Sequence, residues 1–351
     1  MKKTLNYVFL IACILLIAIP VLWFNFAPDQ ISVAENRLLA EPSAISQGLS
    51  VFMKSLDDSI NDRIGFRDEM VRLYRELTVN VFKGRNDAVL IGKDGWLYYQ
   101  DDLPDYTGTN IDGEKIAEAV GVLSGIDAWC RERNIQFVFA LCPNKSSVYS
   151  EYMPDYVRKA DVTTMQLVAE AAEQAGVTVL CPIETLLEKK AAQELYMRLD
   201  THWNVFGAEC MMEEMAEKLC LPKYAFEITQ SESATGDLLS MLSVESVGSR
   251  SVEGAVTPDR QAEIVDVPDS KDRIIVSPGK DTFVCYRDSF SSALMDYYAY
   301  YFEGPVFWSF AIDFDYVEEQ KPQYLILECV ERYLDSAIES NKAMLGYAPE
   351  K

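Results

Sequence analysis

The sequence predicts an α/β fold, a parallel sheet with helices on both faces. Three observations lead there. From Asp112 onward, short apolar runs alternate with stretches of helical periodicity, the alternation that βαβ units produce. The helical stretches are long enough to cross from one strand to a parallel neighbour. The chain has 351 residues, of which 49% are hydrophobic and 25% charged, an ordinary composition for a folded globular protein.

The elements follow in order. Lys2 and Lys3 precede an uncharged apolar run from Tyr7 to Phe24, about the minimum length that spans a bilayer as a helix, and the lysines orient that end inside. No small-residue cleavage site follows, so a retained N-terminal transmembrane signal anchor is expected over residues 1–27. Leu10-Ile11-Ala12-Cys13 has the form of a lipobox, but the apolar run continues well past Cys13, as a lipoprotein tether does not. Residues 28–86 read as a linker and a helical extension. Val51, Phe52, Leu56 and Ile60 keep helical spacing, and so do Phe66, Met70, Leu73, Leu77 and Val81.

The sheet domain is expected over residues 87–351. It opens with AVLIGKDGWLYYQ, two apolar runs joined by Lys93-Asp94-Gly95, a hairpin signal. A helix from about Glu114 to Arg133 leads into the strand IQFVFALC, stopped by Pro143; a second, TTMQLVAEAAEQAG, ends at Gly176 before the strand VTVLC. Next come a short helix near IETLLEKKA, the segment DTHW, and a helix from Phe206 to Leu219. Residues 222–275 are polar, serine-rich and weakly patterned. TFVCYR, PVFWSF and YLILE are the remaining strands, with helices around DSFSSALMDYYAYYF, DYVEEQKP and RYLDSAIES.

Charge and cysteine usage narrow the function. With 55 acidic and 32 basic residues, the net charge of -23 excludes a nucleic-acid partner, because a phosphate-binding surface needs clustered Lys and Arg. Seven cysteines lie beyond the anchor: Cys130, Cys142, Cys181, Cys210, Cys220, Cys285 and Cys329. Four of them end or sit within apolar runs, where a thiol packs as a small hydrophobe, so free buried thiols are expected, with one disulfide open to an exported chain.

Loops past the carboxyl ends of parallel strands converge on one crevice, and Asn144, Asp200, His202, Ser289, Glu331 and Arg332 occupy such loops. His202 is the only histidine in the chain. A serine nucleophile needs a base, and the base needs a partner to hold its tautomer. Asp200 and His202 are two apart and share a face if the segment is extended. Ser289 stands where a strand gives way to a helix, with backbone N–H groups available to an oxyanion. The structural alternatives are that His202 packs under Trp203 and that Asp288 and Ser289 cap a helix. One histidine suffices for a triad but not for the usual metal sets, and no Gly-rich phosphate loop is present, so neither metal nor cofactor is expected. Trp96, Tyr98, Tyr99, Tyr106, Trp203 and Trp308 are candidates for a sugar-stacking surface or for the core.

The motifs ENRLLAEP at 35, NDRIGFRDEM at 61, VLIGKDGWLYY at 89, CPNKSSVY at 142, DTHWNVFGA at 200 and YRDSFSS at 286 resemble the AlgX/AlgJ-like and DHHW-type proteins of the SGNH hydrolase superfamily. The resemblance implies an SGNH-hydrolase-like fold with Asp200, His202 and Ser289 as the triad. The motif order is circularly permuted, since SGNH hydrolases ordinarily place the serine block first. Three features depart from the SGNH pattern. The spacing is Asp-x-His, Arg287 stands where many relatives have Gly, and YLILECVER offers Glu331 and Arg332 in place of the third-block asparagine. Arg287, Glu331, Arg332, Asn144 and Trp203 are therefore the candidates for oxyanion or substrate contacts.

What the resemblance implies is a membrane-anchored, extracytoplasmic O-acetyltransferase acting on an exported or cell-surface polysaccharide. A multi-spanning membrane acyltransferase would be the supplier of acetyl groups. The same residues serve a carbohydrate esterase if water is the acceptor, and a glycan-binding or assembly protein could retain the fold without the chemistry.

Overall fold

The computed structural model describes residues 48–77, 88–242, 244 and 247–347, together with scattered positions before residue 46. The chain divides into two compact units, Met1–Asn86 with Leu239–Val247, and Asp87–Leu238 with Gly248–Lys351. The anchor expected over Tyr7–Phe24 lies for the most part outside the described residues, among which no helix is long and apolar enough to cross a membrane.

The first unit contains a two-residue antiparallel pair, β1 (Ile31–Ser32) and β2 (Arg37–Leu38), and two helices, α1 (Leu49–Asp62) and α2 (Arg67–Glu76). The spacing of apolar residues gives both helices, though the second ends at Glu76 and Val81 lies outside the described residues. It does not give their burial: Val51, Ile60, Phe66, Met70, Leu73 and Leu77 are all exposed. The Asp62 carboxylate accepts the Ala40 N–H at 2.8 Å, and Arg63 donates to the Ala40 carbonyl.

The second unit opens with the expected hairpin, β3 (Val89–Ile91) and β4 (Leu97–Tyr99), in antiparallel register. Helix α3 (Gly113–Arg131) is capped by Asp112, whose carboxylate accepts from Glu114 and Lys115. It leads to β5 (Gln136–Cys142) and a single helical turn, α4 (Lys145–Val148). Helix α5 (Thr164–Gln174) begins at a capping box of Thr163 and Gln166, followed by β6 (Val179–Leu180), and α6 (Val205–Lys218) begins at Asn204.

The weakly patterned stretch after residue 222 is not a coil. It holds an antiparallel ribbon of β7 (Ile228–Ser233) and β8 (Ser251–Val256), then β9 (Glu263–Asp266) and β10 (Arg273–Val276). The chain finishes with β11 (Asp281–Tyr286), α7 (Met295–Tyr301), β12 (Phe302–Phe307), α8 (Phe314–Gln320), β13 (Tyr324–Val330) and α9 (Leu334–Glu339).

The sheet has seven strands in the order β6-β5-β13-β11-β12-β10-β9. The first five run parallel, whereas β10 is antiparallel to both β12 and β9. The expected all-parallel sheet is therefore corrected to a mixed one. The missed strands are exposed or half-exposed at most positions and only four residues long, so their apolar runs, Ile264-Val265 and Ile274-Ile275-Val276, are shorter than those that mark the central strands. Side chains of the central strands alternate between two cores. Val138, Ala140, Cys142, Cys285 and Ile326 enter one, and Phe137, Phe139, Leu141, Val284 and Leu327 enter the other. Cys130, Cys142, Cys181, Cys210, Cys220, Cys285 and Cys329 are free thiols, five of them buried, while Cys220 is exposed.

One position fixes the approach of β11 to β12. Gly304 has φ +144, and a Cβ there would lie 1.9 Å from the Phe283 carbonyl oxygen on β11. Gly304→Ala is expected to destabilise the fold by about 2 kcal/mol or more, because backbone strain and a backbone clash act together; urea denaturation of both proteins measures it.

Candidate active site

Four neighbouring parallel strands deliver their carboxyl ends to one crevice. Asn144 follows β5, Glu331 and Arg332 follow β13, Arg287 to Ser289 follow β11, and Trp308 follows β12. Asp200 and His202 reach it from the loop before α6.

That loop is not the extended segment expected. Tyr196 and Trp203 form an isolated antiparallel bridge, and the chain between them turns tightly, with the Met197 N–H donating to the His202 carbonyl at 3.1 Å. Asp200 Oδ1 accepts both the His202 backbone N–H at 3.0 Å and Nδ1 at 2.6 Å. The carboxylate thus closes a turn on its own backbone two residues on, and this brings it beside the imidazole. Its other oxygen accepts the Asp237 N–H at 2.9 Å. Burial pushes the Asp200 pKa up, but the His202 bond and charge and the two backbone N–H groups outweigh it and bring it down to about 2. Asp200 is therefore ionised throughout the neutral range. His202 Nε2 lies 2.6 Å from Ser289 Oγ, so Asp200, His202 and Ser289 form one unbroken line of hydrogen bonds.

The serine loop is held by buried carboxylates. Asp288 accepts the Phe290 N–H and the Val330 N–H, each at 2.8 Å. Glu328, pointing from the middle of β13, accepts the Asp288 N–H at 3.1 Å and the Ser291 hydroxyl at 2.7 Å, and Cys142 Sγ is 3.1 Å away. Burial, helped by the Asp288 charge, pushes Glu328 up to about 8. Asp288 is raised as well, again by burial.

The remaining candidates separate into two groups. Trp203 is buried, and its Nε1 donates to the Phe290 carbonyl at 2.9 Å. It ties the histidine loop to the serine loop and has no face to offer a substrate, which corrects that expectation. Asn144 and Glu331 are also buried, Glu331 accepting from the Asn144 N–H at 2.9 Å and from the Ser147 hydroxyl at 2.7 Å. Through that one N–H and that one hydroxyl Glu331 ties the end of β13 to the start of α4, and burial takes both side chains out of reach of a ligand, which corrects that expectation. Arg332 stays near the chemistry. Its guanidinium lies 5.3 Å from the Phe290 ring and 3.6 Å from Asp102, and its Nε has no hydrogen-bond partner among the described residues.

Arg287 has a similarly unpaired Nε and lies 4.3 Å over the Trp308 ring. Together with Asp288, Ser289, Trp308, Ser309, Phe310, Tyr333 and Ser336 it lines a cavity of about 390 Å³. Trp308 and Tyr333 are each 39% exposed there. Of the aromatic residues considered for sugar stacking, Trp96, Tyr98, Tyr106 and Trp203 are core; Trp308 faces the cavity beside Ser289.

Asp237, Glu328 and Lys145 had no place in the sequence-based site. Asp237 anchors the histidine loop by accepting from the Thr201 N–H and hydroxyl, at 2.8 and 2.6 Å. Glu328 carried a readable signal, an acid inside an otherwise apolar strand.

Several known proteins are similar to this chain in sequence or in fold. Residues 89–292 match the family described as the SGNH hydrolase-like domain of the acetyltransferase AlgX. The probable alginate O-acetylase AlgJ of Pseudomonas aeruginosa is 26% identical over 183 residues, which cover 49% of this chain and 46% of that protein. The probable alginate O-acetylase AlgJ of Pseudomonas putida is 24% identical over 149 residues, 41% of this chain and 37% of that one. The chain therefore spans less than half the length of these relatives.

The structure of the O-acetyltransferase domain of Pseudomonas putida AlgJ has a TM-score of 0.52 at 18% identity, covering 73% of this chain and 99% of that one. Bacillus cereus PatB1 gives 0.55 at 14%, covering 71% and 97%. A DHHW family protein from Eubacterium siraeum gives 0.52 at 14%, covering 74% and 98%. At these identities the likeness is one of fold.

The Glu328 environment has a consequence for stability. A carboxyl raised to about 8 keeps a proton in the folded state that the unfolded chain releases in the ordinary glutamate range, so stability falls as pH rises from about 4.5 to about 8. Glu328→Gln is expected to flatten that slope, as read from urea denaturation midpoints at pH 5 and pH 8.

Proposed function

The chain belongs to the family of the SGNH hydrolase-like domain of the acetyltransferase AlgX, and from that premise we propose that it O-acetylates an exported or cell-surface polysaccharide through Ser289, His202 and Asp200. The Ser289 hydroxyl gives its proton to His202 Nε2 while Oγ attacks the carbonyl of an acetyl donor. The imidazolium returns that proton to the donor's leaving group, and the acetyl group stays on Oγ. A sugar hydroxyl then gives its proton to Nε2, its oxygen attacks the acetyl carbonyl, and the imidazolium hands the proton to Ser289 as the ester bond to Oγ breaks. Asp200 holds Nδ1–H and stabilises the imidazolium in both halves.

The observation that carries this reading is the pair of 2.6 Å hydrogen bonds from Asp200 to His202 and from His202 to Ser289, beside a cavity with an exposed aromatic face. The Asp288 and Phe290 N–H groups are already engaged. The Ser289 N–H and the guanidinium groups of Arg332 and Arg287 are the donors we assign to the oxyanion. Trp308 is assigned to the acceptor sugar, whose C–H face an indole stacks against.

Localisation on the outer side of the cytoplasmic membrane follows from Lys2, Lys3 and the apolar run behind them, with residues 1–27 as anchor, 28–86 as extension and 87–351 as catalytic domain. The acetyl donor is assigned to a multi-spanning membrane acyltransferase, and the relatives named probable alginate O-acetylases support an acceptor that is a polysaccharide.

Three expected outcomes test the proposal. Cells carrying Ser289→Ala or His202→Ala acetylate their surface glycan no more than cells lacking the protein, whereas the wild type restores acetate esters; acetate released with no glycan ester formed would instead make the protein an esterase. In vitro, Asp200→Asn lowers turnover by about 10⁴-fold, as loss of the orienting carboxylate does in serine triads. Trp308→Ala raises KM for the glycan up to about tenfold with kcat little changed, the range set by one aromatic contact.

A further inference from the structure

The motif CPNKSSVY is left unused by the chemistry above, yet its lysine is only 1% exposed. Lys145 opens α4 just past β5 and sends its side chain into the turn that carries Asp200 and His202. Its Nζ donates to the carbonyls of Asp200 at 2.6 Å, Met197 at 3.0 Å and Arg198 at 3.3 Å. An ammonium group has three N–H donors and no acceptor, so this one group satisfies three carbonyls of a single turn. The Arg198 carbonyl also accepts the Leu97 N–H at 2.9 Å, which fixes the outer side of the turn to β4. Beneath the ammonium lie the rings of Tyr98 and Trp96, at 5.4 and 5.9 Å. No carboxylate is paired with Lys145 among the described residues.

We infer that Lys145 is a positioning residue for the acyl-transfer site: its ammonium gathers three backbone carbonyls and so sets the turn from which the Asp200 carboxylate meets His202 Nδ1. It touches neither the reacting atoms nor the cavity beside Ser289, and it acts through Asp200. The inference rests on the reading of Ser289 as nucleophile. A neutral amine has only two N–H donors and would turn a lone pair toward a third carbonyl, so the turn needs the charged form. Burial works against that charge and brings Lys145 down to about 7; Asp237, Asp200 and Asp102 favour the charge, and Arg332 opposes it.

The test uses the full-length chain and phenylmethanesulfonyl fluoride, with the labelling of Ser289 resolved into an inhibitor constant and a maximal rate. Lys145→Met keeps the length of the side chain and removes the charge. The expected result is a cooperative thermal transition, an unchanged inhibitor constant, and a maximal rate lower by about 10²-fold, the loss typical of an ångström of misplacement. Lys145→Gln, with two donors, is the second variant and is expected to label at an intermediate rate. In the wild type, which needs no substitution, the maximal rate declines as pH rises above about 7.

Folded variants that label as fast as the wild type would overturn the inference. So would a wild-type rate that stays flat from neutral pH up to the pH at which the protein unfolds. A wild type that is not labelled at Ser289 at all would overturn the nucleophile reading itself, a result distinct from either of these.

Discussion

The site depends on one hydrogen bond between loops 87 residues apart, from Ser289 Oγ to His202 Nε2. Neither loop holds that bond by its own sequence. The serine is fixed from below by Asp288, which grips Phe290 and Val330. The histidine is fixed by Asp200, itself closed onto its own backbone. Trp203 closes the remaining gap with its bond to the Phe290 carbonyl. The close contact that defines the site is therefore surrounded by bonds that define where each loop sits, which is how a crevice at strand ends keeps the geometry that acyl transfer requires.

The arrangement is costly to fold. Glu328, Asp288, Glu331 and Asp102 are all buried, and burial raises the pKa of each. The hydrogen bonds of Glu328, Asp288 and Glu331 explain why these three persist, since a buried carboxyl group that accepts two N–H or O–H groups orders both donors. Here the donors are the backbone of the serine loop and the first turn of α4. The buried Arg332–Asp102 pair fits the same logic: such pairs contribute little net stability and hold geometry instead. The acids sit under the crevice, and the two arginines with unpaired Nε atoms sit around it.

How much of this was legible depended on what each residue had to do. The central strands were readable because their apolar runs have one explanation, burial on both faces. That Asp200, His202 and Ser289 would meet was readable from a lone histidine and two loops at strand ends. The Asx-type turn that joins Asp200 to His202 was not, because the same two-residue spacing fits an extended segment equally well. Strands β9 and β10 were missed because each is only four residues long, with apolar runs of two and three residues, Ile264-Val265 and Ile274-Ile275-Val276. Asn144, Glu331 and Trp203 were placed in the correct loops and given the wrong partners: position after a strand says where a side chain starts, not whether it turns toward the crevice or under it. Lys145 and Asp237 bond to the histidine turn across 55 and 36 residues, and pairings of that kind carry no local signature.

Because His202 is the only histidine, the tautomer of the site can be read from a single pair of imidazole nitrogens. In protein labelled with ¹⁵N-histidine, at a pH where the ring is neutral, the account predicts a protonated Nδ1 with a strongly downfield proton and an unprotonated Nε2. Asp200→Asn should abolish that downfield proton. A neutral ring protonated at Nε2, or an Nδ1 proton indifferent to Asp200→Asn, would mean that the imidazole is not poised to take the proton of Ser289, and the acyl-transfer account would be wrong at its centre.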